Sequence, residues 1–129
     1  MKYLLYTLFF TFATISLMAQ TTACTKQQCD NNPNVAYKLY PTQNMWTFLK
    51  LDTRNGKIWQ VQYSVKGDDY RFETCLNNLS LTTKEINGRF ELYPTQNMFN
   101  FILLDKVDGG VWQVQWSSEP ANRGVLPIR

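Results

Sequence analysis

LYPTQNMWTFLKLDTRNGKIWQVQYS, residues 39–64, returns as LYPTQNMFNFILLDKVDGGVWQVQWS at residues 92–117. The offset is 53 residues, without a gap. YPTQNM (40–45, 93–98) and WQVQ (59–62, 112–115) are letter-identical in the two copies. Internal self-similarity at this period marks a repeat architecture, in which each copy is one supersecondary unit.

Within the first copy the pattern is that of a β-meander. Residues 35–40 read as a short strand. Pro41 presets φ for the turn that follows, and Asn44 tolerates turn geometry. Residues 45–51 form a second strand, apolar on both faces and therefore expected in the middle of a sheet. Asn55-Gly56 is a strong hairpin signal, because Gly accepts positive φ without steric cost. Residues 57–65 alternate, which predicts Trp59, Val61, Tyr63 and Val65 inward and Gln60, Gln62 and Ser64 outward. Residues 70–76 alternate again and supply a fourth strand.

The second copy repeats the order over 89–93, 98–104, 111–117 and 125–128. Pro127 lacks an N–H, so the last strand belongs at an edge. The expected fold is all-β. Two tandem three- to four-stranded antiparallel meanders (35–76 and 88–129) pack as a pseudo-two-fold sandwich or small barrel through the Trp59 and Trp112 faces. Each unit is also like a propeller blade in length and strand count, so a homo-oligomer completing a larger ring is a second solution.

The chain's N-terminus reads differently. Lys2 precedes an apolar run over 3–18, and Leu17-Met18-Ala19 offers a cleavage site before Gln20. That is the secretory pattern. The run is short and broken by Thr7, Thr11 and Thr14, whereas a membrane span needs about 20 apolar residues. The expectation is a signal peptide over 1–19, a polar arm over 20–34 and one β domain over 35–129. The product is periplasmic or secreted, with no membrane span left after cleavage. Lys2 is the only charge lost, so the mature chain carries one positive charge fewer than the full chain's +3. That balance is too weak to argue for nucleic acid. Export permits a disulfide. Cys24, Cys29 and Cys75 are the three candidates, paired either as Cys24 with Cys29 or as Cys29 with Cys75.

The paired YPTQNM and WQVQ blocks, with the Leu-Asp-x-x-x-Gly hairpin before Trp-Gln, resemble small exported proteins of gut-type Bacteroidota. Those proteins carry tandem β-hairpin repeats of this kind. The resemblance covers about 37–64 and 90–117 and implies export and a β-fold. It supplies no activity and no functional residue.

Catalytic constellations are sparse. The chain has no histidine, so neither a Ser-His-Asp nor a Cys-His arrangement is available. Asp52 and Asp105 occupy equivalent positions, and Asp68-Asp69 are adjacent; a carboxylate pair would suit glycoside hydrolysis. An Asp opening a Gly-containing turn, however, ordinarily bonds the turn backbone. No cofactor and no metal site is expected.

The identical polar letters are the better lead. Thr42, Gln43 and Asn44 recur as Thr95, Gln96 and Asn97, and Gln60 and Gln62 recur as Gln113 and Gln115. Turn chemistry, a glutamine ladder or recent duplication would account for them. Alternatively, amides beside Tyr40 and Tyr93 make an uncharged binding surface, duplicated for avidity. The expected function is an exported, non-enzymatic binding module for a glycan, peptide or protein. A small secreted inhibitor or effector docking on one folded partner is the alternative. A hydrolase and a structural envelope protein come behind.

Overall fold

A computed structural model describes residues 34–129. The expected signal peptide, most of the polar arm, Cys24 and Cys29 lie outside the described residues.

Eight strands follow one another: β1 (Tyr37–Pro41), β2 (Thr47–Asp52), β3 (Ile58–Gln62), β4 (Phe72–Asn77), β5 (Phe90–Pro94), β6 (Asn100–Asp105), β7 (Val111–Gln115) and β8 (Gly124–Pro127). They form two four-stranded antiparallel sheets, β1-β2-β3-β4 and β5-β6-β7-β8, each in chain order. The fold is all-β, two tandem meanders packed as a sandwich, as the repeat implies. Pro127 lies on the edge strand β8. Each sheet also has a single 3-10 turn before its last strand, at Asp68–Tyr70 and Pro120–Asn122.

The β2–β3 hairpin turns at Gly56, with φ of +78°; Gly109 does the same for the second repeat at +75°. Gly56 has a second reason to lack a side chain. A Cβ there would meet Leu81 Cδ1 at 2.8 Å and the Phe90 ring at 3.3 Å. The turn is thus packed under the start of the second repeat. Thr53, fully buried in that turn, ties the segment down. Its carbonyl accepts from Phe90 N at 2.8 Å, and its Oγ1 accepts from Gly88 N at 3.0 Å.

The two sheets do not use equivalent faces. Strand partners in register share a face, so each face can be read off the pairing. The first sheet turns Tyr40, Leu49, Leu51, Ile58 and Gln60 inward. The second turns Leu92, Phe101, Leu103, Trp112 and Val114 inward. Displaced by the 53-residue offset, that second set corresponds to Leu39, Phe48, Lys50, Trp59 and Val61, which form the outer face of the first sheet. The contact is head to tail: one face of the unit meets the opposite face of its copy.

This corrects the expected orientation of β3. Trp59 and Val61 lie on the outer face, half-buried, and Gln60 is in the core at 1% exposure. The clean alternation was real but pointed the other way, because β2 offers apolar residues on both sides. Its Leu49–Leu51 face is the one that packs. The second repeat follows the expected orientation, with Trp112 and Val114 in and Gln113 and Gln115 out. The same rule places the ring pairs. Trp46 and Tyr63, with centroids 5.3 Å apart, sit on the outer face of the first repeat and are exposed. Their counterparts Phe99 and Trp116 lie 5.2 Å apart, and Trp116 is buried, donating from Nε1 to Met98 O at 2.8 Å.

The opposite-face packing makes matched positions unequal. Leu49→Ala, in the core, is expected to cost about 2–5 kcal/mol. Ile102→Ala, at the equivalent position on an outer face, is expected to cost clearly less. Urea unfolding of the two variants in dilute solution checks this, and equal costs would contradict the orientation described.

Candidate functional site

The repeated loop is built from its own polar letters. Thr42 Oγ1 accepts from Asn44 N at 3.1 Å and reaches Asn44 O and Thr47 O at 3.0 and 2.9 Å. Asn44 Oδ1 accepts from Trp46 N at 2.9 Å. The second copy reproduces this set. Thr95 Oγ1 accepts from Asn97 N at 3.2 Å and reaches Asn97 O and Asn100 O, and Asn97 Oδ1 accepts from Phe99 N at 2.9 Å. Threonine and asparagine are therefore engaged by the turn, where they accept from the amides of Asn44, Trp46, Asn97 and Phe99. Gln43 and Gln96 take no part in these bonds and are exposed.

Head-to-tail packing brings the two loops side by side. Pro41, Thr42 and Gln43 form one wall of a cleft of 110 Å³. Pro94, Thr95 and Asn97 form the other, with Phe101 among the lining residues. A second, more open cleft of 260 Å³ lies on the free face of the second sheet, lined by Gln113, Gln115, Asn122, Arg123 and Leu126. Both are smaller than the usual small-molecule pocket of about 300–1,000 Å³.

The remaining candidates divide. Tyr93 is exposed at the rim, while its twin Tyr40 is a core residue at 7% exposure. Gln60 is likewise lost as a surface residue, and its Oε1 has no hydrogen-bond partner among the described residues. Such a buried unmatched acceptor costs about 1–3 kcal/mol. Gln62 Nε2 donates to Tyr70 O at 3.2 Å, and Gln113 Nε2 donates to Asn100 Oδ1 at 3.2 Å. Arg123 went unnoticed in the sequence. It spans the sheets by donating to Ser117 O at 2.7 Å and, at 3.5 Å, to Thr74 Oγ1. No spacing signal marks it.

The equivalent aspartates are separate turn anchors. Asp52 accepts from Arg54 N, Nε and Nη2 at 2.8–3.0 Å and from Asn55 Nδ2 at 3.1 Å. Asp105 accepts from Val107 N and Asp108 N, and from Arg89 Nε and Nη2 at 3.0 and 2.7 Å. Arg89 is itself buried and also pairs with Asp108. The cation comes from a different place in each repeat: Arg54 lies within the turn, whereas Arg89 precedes β5 where the first repeat has Ala36. Burial pushes each carboxyl up. The bonds and positive charge of its arginine, together with the turn amides, outweigh that and hold both below the usual carboxylate range.

Cys75 is the one cysteine among the described residues and carries a free thiol there; Cys24 and Cys29, the other disulfide candidates, lie outside them. Burial pushes the pKa of Cys75 up. Among the described residues there is no group of three metal-ligating side chains, and no helix is long and apolar enough to cross a membrane.

A carboxyl depressed in the folded state stabilises it above its unfolded pKa, about 3.9, and that contribution is lost as pH falls through the lower folded value. Asp105→Asn is therefore expected to lower stability at neutral pH and to flatten its decline on acidification below about pH 4. Urea midpoints compared at neutral and acid pH check this; parallel declines for variant and parent would contradict it. Comparison with protein-family models, with curated proteins and with solved structures finds no match to this chain.

Proposed function

We propose that the chain is an exported, non-enzymatic binding module that grips a glycan, peptide or protein segment at the loop rim of the sandwich. One observation carries this reading: two letter-identical loops, 53 residues apart, converge on a single cleft. The turn chemistry accounts for Thr42, Asn44, Thr95 and Asn97. It leaves Gln43 and Gln96 unexplained, one beside the cleft and one on the adjoining loop. The cleft mixes amide donors and acceptors with the apolar faces of two prolines and Phe101. That mixture suits a sugar ring or a peptide side chain more than a charged ligand. At 110 Å³ it takes one unit of a polymer rather than a whole cofactor.

The second reading is an inhibitor or effector docking on one folded protein. The exposed aromatic groups beside the rim, Trp46 and Tyr63 among them, favour it. The two readings separate on stoichiometry and ligand: repetitive polymers for the first, a 1:1 protein complex for the second.

Gln43→Ala and Gln96→Ala should leave folding unchanged. Each should weaken binding by about three- to tenfold, the range for one net hydrogen bond. Titration against a panel of glycans and peptides, with circular dichroism as the folding control, checks this. Binding unaltered in the double variant would move the site elsewhere.

A further inference from the structure

We infer that copies of this chain associate head to tail, the outer face of the first sheet of one copy seating on the outer face of the second sheet of the next. The occupant of each face is a second copy, because the contact required already exists inside the molecule.

Each face left outside matches a face already buried. The outer face of the second sheet presents Tyr93, Ile102, Leu104, Val111 and Gln113. Their counterparts Tyr40, Leu49, Leu51, Ile58 and Gln60 are 7%, 0%, 0%, 0% and 1% exposed in the internal contact. The outer face of the first sheet presents Leu39, Phe48, Trp59 and Val61. Their counterparts Leu92, Phe101, Trp112 and Val114 supply the opposing half of that contact. Leu39 is 59% exposed where Leu92 is 2%. The internal interface thus has an unused left half and an unused right half, one at each end of the pair.

Repeat arrays that stop at a given length ordinarily end in capping units with a polar outer face. Neither end is wholly polar: each keeps apolar side chains beside one ion pair, Lys50–Glu73 on the first sheet and Glu91–Lys106 on the second. The first sheet exposes Tyr37, Leu39, Trp46 and Tyr63 on one side. Its charged substitutions are Lys50, in place of Leu103, and Glu73, which pairs with Val61 where Val125 pairs with Val114. The Lys50 ammonium lies over the Trp59 ring, 4.6 Å from its centroid, and pairs with Glu73 on the edge strand at 2.5 Å. The pair lies across the face above Trp59, and its two charges offset each other there.

A head-to-tail contact is heterologous, so it closes into a ring when the rotation per step permits and otherwise runs on as a filament. Blade-like sheets close typically at four to eight, which sets a ring of about two to four copies. Every new junction would also place a Pro94-Thr95-Gln96 loop beside a Pro41-Thr42-Gln43 loop, recreating the rim cleft between chains.

The test uses the chain as the cell processes it, examined by sedimentation velocity and light scattering across a dilution series. Leu39→Arg blocks the first outer face and Tyr93→Arg blocks the second. Both residues are exposed, and circular dichroism and melting control for folding. Should either variant fail to fold, Tyr63→Arg and Leu126→Arg block the same faces. The parent is expected at about two to four times the monomer mass, or as longer filaments. Each variant alone is expected to be monomeric, and an equimolar mixture of the two to form a dimer, since each retains the face the other lacks. A parent that is monomeric at every concentration overturns the inference. So does a single variant that still self-associates, which would mean like face on like face, or a mixture that stays monomeric.

Discussion

One largely apolar contact decides the shape of this domain: the Leu49–Leu51–Ile58 side of the first sheet against the Leu92–Phe101–Leu103–Val114 side of the second. A strand has a period of two, so choosing one buried residue chooses the whole face. Once Leu49 and Leu51 are in, Gln60 must go in with them, at the cost of an unmatched Oε1, and Trp59 must stay out. The exposed aromatic ring pair, the burial of Tyr40 but not Tyr93, and the meeting of the two loops all descend from that choice.

The contact is held in register by the first hairpin turn. Thr53 joins the turn to the entrance of β5 through its carbonyl and hydroxyl. Gly56 lets Leu81 and Phe90 lie close. The aspartate–arginine pairs stiffen both turns, with the arginine recruited from different positions. Identical letters thus rest on non-identical supports, which indicates that the geometry of the turn, rather than one particular ion pair, is what the fold requires.

Much of this was legible in the sequence. The meander order, the Gly56 and Gly109 turns, the edge position of Pro127 and the turn-bonding of Asp52 and Asp105 all rest on local chemistry, which a sequence carries openly. The inward face of the first sheet was not legible. β2 is apolar on both sides, with Phe48 opposite Leu49, and the alternation of Trp59, Val61 and Tyr63 then favoured the wrong one. A glutamine reads as a surface residue until its neighbours in register are known, and Gln60 shows how far that prior misleads. The cleft was illegible for another reason. Each loop contributes one wall, and only the stacking of two sheets brings the walls together.

The Gln-Val-Gln motif has a consequence for the history of such a chain. The same three letters serve inside one repeat and outside the other, so the unit's sequence is compatible with both environments at once. A gene built from units of this kind grows easily: an extra 53-residue segment inserted in frame would arrive with both of its faces already made.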